Sequence, residues 1–217
     1  MTDALTLVEE MDGLAILTLN RPDKRNALSL ALRHEIMARL DELQKSESIR
    51  AVVMTGAGSS FCAGFDRAEL LGGAMEEVFV EANEYHRRVF TFGKPLIAAV
   101  NGPALGGGCD LAAMCDFRIA GAAAIFGQPQ VHFGAAASYD LMRAVVGTGP
   151  AREMCLTGRN YDAHEALAIG LANRVVDSGE LLATTTTLAG SIAALPAGVA
   201  EGAKRGFVEH QPPVFGA

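Results

Sequence analysis

Tryptophan is absent from this sequence of 217 residues, aromatic residues make up 6% of it, and cysteine occurs only four times. The cysteines at positions 62, 109, 115 and 155 form no CxxC pair, and the histidines are scattered. This spacing excludes the common zinc-binding patterns, so no metal site is predicted. Three of the cysteines stand in small or apolar surroundings, which predicts buried thiols in a protein of a reducing compartment.

An excess of positive charge and a long apolar run are also missing. The formal net charge is −7, and the dense basic clusters are confined to residues 21–25 and 204–205. No basic face is present to neutralise nucleic-acid phosphates, so a nucleic-acid partner is not expected. No uninterrupted apolar stretch is long enough to span a bilayer, and no leader with a basic start and an apolar centre is recognised. We expect a cytoplasmic protein without membrane association.

Apolar residues make up half of the chain, and their spacing predicts alternating strands and helices. Two apolar runs, 5–10 and 14–19, surround an Asp-Gly turn and predict a β-hairpin. After Ser29, apolar residues recur at three- and four-residue steps, which predicts a helix capped by that serine. Further strands are predicted at 51–55, 96–100, 117–120 and 124–126, with helices at 76–92 and 109–114. Such alternation is typical of α/β folds with parallel strands.

A run of three glycines lies in the most informative segment, which reads Asn-Gly-Pro-Ala-Leu-Gly-Gly-Gly-Cys-Asp at residues 101–110. It stands between a predicted strand and a predicted helix. Glycines at such a junction leave main-chain N–H groups uncovered, and a helix N-terminus adds partial positive charge. These features are typical of an oxyanion hole, which binds the negative oxygen of a reaction intermediate. A tight turn between closely packed backbones is the alternative interpretation.

Three other segments accompany this run in a fixed order. Residues 20–29 read Asn-Arg-Pro-Asp-Lys-Arg-Asn-Ala-Leu-Ser, residues 60–66 read Ser-Phe-Cys-Ala-Gly-Phe-Asp, and residues 126–129 read Phe-Gly-Gln-Pro. Together the segments resemble the crotonase (enoyl-CoA hydratase/isomerase) superfamily. The resemblance covers residues 5–176 and an ending at 212–215. It implies an α/β fold in which ββα units wind in a right-handed spiral, with a spiral core at 1–148 and a C-terminal helical region at 149–217.

The resemblance further implies that the protein binds an acyl thioester of coenzyme A and holds its carbonyl oxygen between two main-chain N–H groups. The implied donors are the N–H groups of Phe65 and Gly107, and the Phe65 ring would narrow the pocket. Coenzyme A is then part of the substrate, and no separate cofactor is expected. The residues implied to contact coenzyme A are Lys24, Arg25, Ala27, Leu28, Ala63, Gly64 and Asp66. Asp66 is also predicted to cap a short helix at 67–71.

Acid–base residues distinguish the reactions of this superfamily. The best-known hydratases use two glutamates, and the matching positions here hold Asp110 and Gln130. Asp110 is one methylene shorter but ionisable, whereas the Gln130 amide only positions a water or a substrate group. Both residues also have an alternative, structural role. Asp110 would complement the helix dipole, and Gln130 would hold a loop in place.

Other side chains are candidates for the missing proton transfer. If residues 130–132 are extended, His132 projects to the same face as Gln130. Tyr139 and Asp140 lie in a loop where a short passage at 134–140 replaces the longer glycine-rich passage of the family. His86 and Arg87, in the helix predicted at 76–92, are expected to face solvent.

The C-terminal helical region is several turns shorter than is usual in the family. In the family this region covers the acyl pocket and makes trimer contacts. Residues 151–200 are rich in alanine, leucine and valine, and the helix predicted within 181–195 carries almost no charge. A helix that is apolar on most sides is buried under its own domain or against another chain. We expect a homotrimer or a hexamer, with a monomer as the alternative.

These observations predict an enzyme with enoyl-CoA hydratase/isomerase-like chemistry, which stabilises a thioester enolate in a main-chain oxyanion hole. Because Gln130 replaces a carboxylate, strong two-glutamate hydration is not expected. A reaction that uses a single acid, such as a decarboxylation, also fits the residues. A non-catalytic carrier or regulator that binds acyl-CoA is the alternative from another functional class.

Overall fold

Two β-sheets organise the protein in its computed structural model, which describes residues 4–71, 75–211 and residue 214. The strands are β1 (Thr6–Met11), β2 (Leu14–Leu19), β3 (Ala51–Gly56), β4 (Leu96–Val100), β5 (Pro103–Leu105), β6 (Phe117–Gly121), β7 (Ile125–Gly127), β8 (Asn160–Asp162) and β9 (Arg174–Val176). The α-helices are α1 (Leu30–Lys45), α2 (Arg67–Leu71), α3 (Met75–Phe90), α4 (Gly107–Met114), α5 (Tyr139–Val146), α6 (Thr148–Thr157), α7 (Ala163–Ala168), α8 (Leu181–Ala193) and α9 (Val199–His210). Short 3-10 helices occupy Pro22–Lys24, Pro129–Phe133 and Ser178–Glu180.

The larger sheet has the strand order β1-β2-β3-β4-β6-β9. β1 and β2 form the predicted antiparallel hairpin, whose turn residues Asp12 and Gly13 have φ angles of 41° and 84°. Both values lie in the left-handed region that two-residue hairpin turns require. All other neighbouring pairs of this sheet are parallel, as predicted. The smaller sheet has the order β5-β7-β8, with β5 and β7 parallel.

The central strands are buried on both faces, because helices cover both sides of the larger sheet. Alternate residues of β2, β3 and β4, such as Leu17 and Met54, point into a large core that they share with α1, α3 and α4. The residues between them point into a smaller core on the opposite face, which Leu181 and Ala189 of α8 cover. This burial explains why these strands occur as continuous apolar runs in the sequence. The cysteines at 62, 109 and 115 are buried thiols, as predicted.

The start of α1 agrees with the prediction, since the Ser29 hydroxyl accepts a hydrogen bond from the Leu32 N–H at 3.3 Å. α3 agrees within two residues at each end, and its residues Ala82 and Tyr85 are buried. Val78, which belongs to the same predicted apolar face, lies outside the residues whose side chains are described.

Several short elements differ from the prediction. The sequence gives no sign of β5 and β8, because a strand of three residues is too short to show a period. Residues 129–133 form a 3-10 helix rather than an extended segment. α4 begins two residues earlier than predicted, because Gly106 takes the N-cap position with a φ of +53°. Helical structure also begins before residue 149, with α5.

The C-terminal helices pack against the rest of the chain. α8 covers the smaller core, and the ammonium group of Lys204 in α9 donates to the Asp116 carboxylate at 2.8 Å and to the Lys94 carbonyl at 2.9 Å. The boundary expected between 1–148 and 149–217 stays a prediction, and the expected ending at 212–215 lies outside the described residues apart from residue 214. Each α-helix within the described ranges is too short or too polar to cross a bilayer.

The close approach of α4 to residue 62 predicts the effect of a methyl group at Gly108. An added Cβ would lie 2.1 Å from the Cys62 main-chain oxygen. We expect Gly108→Ala to lower the free energy of unfolding by about 3 kcal/mol, because the helix must move. Gly149→Ala is the matched control, since its methyl meets nothing within 4 Å. Urea denaturation at one protein concentration measures both variants, and equal midpoints for them would contradict the prediction.

Candidate active site

The main chain of residues 62–66 runs between two other segments. On one edge, Leu28 bonds to the residues on either side of Phe65, donating to one carbonyl at 2.8 Å and accepting from one N–H at 3.2 Å. On the other edge, Cys62 is bridged to Ala104. In such a parallel pairing, the N–H of the middle residue points away from the partner strand. The Phe65 N–H therefore points to the edge opposite Leu28.

The N-terminus of α4 lies on that opposite edge. Gly106 is its N-cap, and Gly107 is its first residue, so the Gly107 N–H has no partner within the helix. The Gly107 nitrogen lies 3.3 Å from the position that a Cβ would take on Gly64. The N–H groups of Phe65 and Gly107 thus lie close to the same glycine, at the positive end of a helix. This arrangement suits the binding of a negative oxygen.

Only glycine fits at two positions around these N–H groups. Gly64 has a φ of +92°, and an added Cβ would lie 2.6 Å from the Leu105 oxygen. An added Cβ on Gly107 would lie 2.6 Å from two carbons of the Phe65 ring. The Phe65 ring therefore packs directly over the glycine run and occupies space beside the N–H groups.

A buried cluster of polar side chains supports the Phe65 ring. The Arg33 guanidinium lies 5.0 Å from the ring centroid, and the His86 ring meets it edge-on at 5.9 Å. His86 is 7% exposed, so the expectation that it faces solvent is wrong, whereas Arg87 is exposed as expected. Burial, together with the Arg33 charge, lowers the pKa of His86 to about 4. Sequence reasoning missed Arg33, although its helical spacing from the apolar face of α1 was a usable signal.

Asp110 lies one turn into α4, three residues after Gly107, and is 2% exposed. Its two oxygens accept hydrogen bonds from Gln128 Nε2 at 2.7 Å and from Ser138 Oγ at 2.9 Å. Burial raises the pKa of the Asp110 carboxyl to about 6, and the two hydrogen bonds act in the opposite direction because they favour the ionised form. A carboxyl with such a pKa can both accept and return a proton near neutral pH.

A chain of amides connects Asp110 to Gln130. Gln130 Nε2 donates to Gln128 Oε1 at 2.7 Å, and the fully buried Gln128 donates in turn to Asp110. The Gln130 amide also lies beside Gly106, with its nitrogen 3.6 Å from the position of an added Cβ there. Within the described residues, the buried Gln130 Oε1 has no hydrogen-bond partner. The hydrogen-bonding capacity of that oxygen is therefore unused in this structure.

Gln128 and Ser138 are functional residues that sequence reasoning missed. Gln128 stands between a glycine and a proline directly after β7, and a polar residue at such a strand end was the available signal. Ser138 gave no signal, because the shortened loop at 134–140 has no regular spacing. Only the packing of that loop brings Ser138 to Asp110.

The three other acid–base candidates do not contact Asp110 through any of the hydrogen bonds found among the described residues. The 3-10 helix at Pro129–Phe133 leaves His132 exposed. Asp140 is exposed and pairs with Arg143 at 3.4 Å. Tyr139 packs against the large core. The structure therefore brings none of these three side chains to Asp110, and the proton-transfer role of Asp110 stays a prediction.

The residues implied to contact coenzyme A form two adjoining stretches. Lys24 and Arg25 are exposed, and the Arg25 carbonyl accepts a hydrogen bond from the Ala63 N–H at 2.9 Å. The Asp66 carboxylate pairs with Arg21 at 3.1 Å and accepts an N–H from the first turn of α2, so it caps that helix as predicted. The binding role of these stretches stays a prediction.

Main-chain bonding limits how two of these residues meet a ligand. The Leu28 N–H and carbonyl are both used in the pairing around Phe65, and the Leu28 side chain is fully buried. The Ala27 carbonyl accepts a hydrogen bond from Arg21. Contacts with a ligand therefore fall mainly to the exposed atoms of the two stretches.

The raised pKa of Asp110 predicts a pH dependence of stability. Because the folded-state pKa is near 6 and the ordinary value is 3.8, the unfolded chain releases this proton first as the pH rises. The wild type therefore loses about 2 kcal/mol of unfolding free energy between pH 4 and pH 7, relative to Asp110→Asn. Urea denaturation of both proteins across this range measures the difference. Parallel stability curves would contradict the prediction.

Comparisons with known proteins agree with the fold. The family model described as enoyl-CoA hydratase/isomerase matches residues 9–211. A short-chain-enoyl-CoA hydratase of Clostridium acetobutylicum is 39% identical over 193 residues, which cover 86% of this chain and 74% of that protein.

Solved structures give the same result. The crystal structure of an enoyl-CoA hydratase/isomerase from Xanthobacter autotrophicus is 35% identical, has a TM-score of 0.91, and covers 97% of this chain and 82% of that one. The crystal structure of an enoyl-CoA hydratase from Bacillus anthracis is 31% identical and has a TM-score of 0.92. It covers 97% of this chain and 85% of that one. The protein therefore has the crotonase fold, and the chain belongs to the enoyl-CoA hydratase/isomerase family of enzymes.

Proposed function

We propose that this enzyme acts on an acyl thioester of coenzyme A by stabilising the thioester enolate. The observation that carries the proposal is the arrangement at the start of α4. The Gly107 N–H is free of the helix, and the buried carboxyl of Asp110 follows one turn later. A carbonyl oxygen held by the N–H groups of Phe65 and Gly107 would have its neighbouring carbons near Asp110. The hydratase names of several relatives support this substrate class.

Asp110 is the proposed general acid and base. In a hydration, its carboxylate takes one proton from a water molecule while the hydroxyl adds to the β-carbon of the enoyl group. The negative charge moves to the thioester oxygen, where the two N–H groups stabilise it. Asp110 then returns the proton to the α-carbon. An isomerisation would use the same carboxyl to remove a proton from one carbon and return it to another.

Gln130 is proposed to position a water molecule rather than to transfer a proton. A neutral amide does not exchange protons near pH 7, but the buried Gln130 Oε1 is an acceptor for the second hydrogen of the attacking water. We therefore expect slower hydration than two carboxylates would support.

Coenzyme A is proposed to lie along the two stretches 24–28 and 63–66. Lys24 and Arg25 supply positive charge for its phosphates, and both are exposed. The pantetheine would pass along Ala27 and Leu28, and the adenine would meet the exposed atoms around Ala63. No cofactor beyond this part of the substrate is needed for the proposed chemistry, and we propose a cytoplasmic location.

A homotrimer or a hexamer is the proposed assembly. The outer face of α8 borders a groove of about 440 Å³ that includes Thr184 and Leu188. Leu182, Leu195 and Val199 in the same region are between 42% and 53% exposed. Apolar surface of this kind is commonly covered in oligomers.

Substitutions at Asp110 and Gln130 test the proposed reaction. Asp110→Asn removes the proton carrier, so hydration of crotonyl-CoA should fall at least about 100-fold. Gln130→Glu adds a second carboxylate and should raise the rate. Asp140→Asn is the matched control, because Asp140 is exposed and outside the site. Loss of the enoyl-thioester absorbance measures turnover.

Two results would contradict this account. Wild-type turnover that Asp110→Asn leaves intact would remove the role of Asp110. Binding of acyl-CoA by calorimetry, with no turnover of enoyl-, dienoyl- or malonyl-type thioesters, would favour a carrier over an enzyme.

The proposed assembly predicts a particle mass of three or six chains in solution. Light scattering at micromolar concentration measures it directly. The mass of a single 22.7 kDa chain would refute the proposal.

A further inference from the structure

Arg67 reaches across the mouth of the site. It begins α2, two residues after Phe65, and its guanidinium carbon lies 4.9 Å from the centroid of the Phe133 ring. Phe133 ends the 3-10 helix that contains Gln130. Arg67 therefore connects the segment of one oxyanion donor with the segment of the amide chain.

Phe133 and Gln130 share one face of their helix. Side chains three residues apart are eclipsed in a 3-10 helix, and about 6 Å of rise separates them along its axis. Phe133 is 65% exposed, so its ring is a platform at the open side of the site. The Arg67 charge lies over this ring, on the segment that also holds Gln130.

Among the residues whose side chains the structure describes, a set that leaves out 70–80, the charge of Arg67 has no carboxylate partner. In contrast, Arg21 pairs with Asp66, and Arg33 pairs with Glu69 and Glu81. The contact with Phe133 is made through the aromatic ring and uses no hydrogen bond of the guanidinium. A guanidinium carries N–H groups in a fork geometry that binds a carboxylate with two hydrogen bonds. The ring also holds the side chain in place, which reduces the entropy lost on binding.

The position of Arg67 favours the acyl end of the substrate over coenzyme A. Leu28 and the exposed Lys24 and Arg25 adjoin one edge of residues 62–66. β5 and β7, which lead to Gln130 and Phe133, lie on the other edge. An acyl chain that starts at the two N–H groups and passes Asp110 leaves toward this second edge.

We propose that Arg67, supported by Phe133, binds a carboxylate at the far end of the acyl group. The substrate class is then an enoyl thioester of a dicarboxylic acid, of about five or six carbons. This inference rests on the proposed function, because it uses the same oxyanion hole and the same Asp110.

Matched thioesters test the inference. We compare a five-carbon trans-2-enoyl-CoA that ends in a carboxylate with trans-2-pentenoyl-CoA, which has the same length and a methyl end. The wild type should have a kcat/KM at least tenfold higher on the first substrate. Arg67→Gln should remove this preference and change the methyl-ended substrate less than twofold. Arg67→Lys should keep part of the preference, and Lys45→Gln, an equal change of net charge on exposed α1 surface, should keep all of it.

Calorimetry with saturated analogues separates failure of this inference from failure of the proposed function. If the wild type binds neither glutaryl-CoA nor pentanoyl-CoA, the proposed function itself fails. If it binds both equally, only the carboxylate site is refuted. If Arg67→Gln weakens both, and free coenzyme A as well, Arg67 contacts a coenzyme A phosphate and the inference is overturned. Selective weakening of glutaryl-CoA supports it, and Phe133→Leu should weaken glutaryl-CoA in the same direction.

Discussion

The contact between the first turn of α4 and the main chain of residues 62–65 is the constraint on which the site depends. All eight residues of α4 are buried, and Gly108 lies so close to the Cys62 oxygen that an added methyl would overlap it at 2.1 Å. This contact brings the Gly107 N–H beside the Phe65 N–H, and it fixes Asp110 one turn further along. One helix therefore carries the proposed oxyanion donor, the positive end of its dipole, and the proposed proton carrier. Their relative positions do not depend on flexible side chains.

The C-terminal carbonyl groups of a fully buried helix also need hydrogen-bond donors. Arg118 supplies these donors to α4. Its guanidinium donates to the Cys115 carbonyl at 2.6 Å and to the Ala113 carbonyl at 3.4 Å. These carbonyls are the groups that an α-helix leaves unpaired at its C-terminus. Within the part of the chain that the structure describes, no side chain bonds to the N-terminal N–H groups of α4, and these are the groups proposed to bind the ligand. Arg118 thus stabilises the C-terminal end of α4, whereas the proposed reaction uses the N-terminal end.

Two opposing effects set the pKa of the Asp110 carboxyl. Burial favours the neutral acid, whereas the Gln128 and Ser138 hydrogen bonds favour the carboxylate, and the resulting pKa is about 6. A glutamate in place of Gln130 would add a second negative charge at the other end of the amide chain. The glutamine instead leaves a neutral acceptor, so a single carboxyl, that of Asp110, is the proposed proton carrier. The proposed reaction follows from this asymmetry.

The sequence by itself determined the elements whose signals are local. The Ser29 cap and the hairpin turn at Asp12 and Gly13 both act within a few residues, and the described structure has both of them. The family segments also located the glycine run and Asp110. Tertiary structure decided the rest. Ser138 reaches Asp110 across 28 positions, and β5 and β8 are strands only because the neighbouring β7 supplies their hydrogen bonds. Contacts between distant residues depend on how whole elements pack, and no short-range pattern encodes that packing.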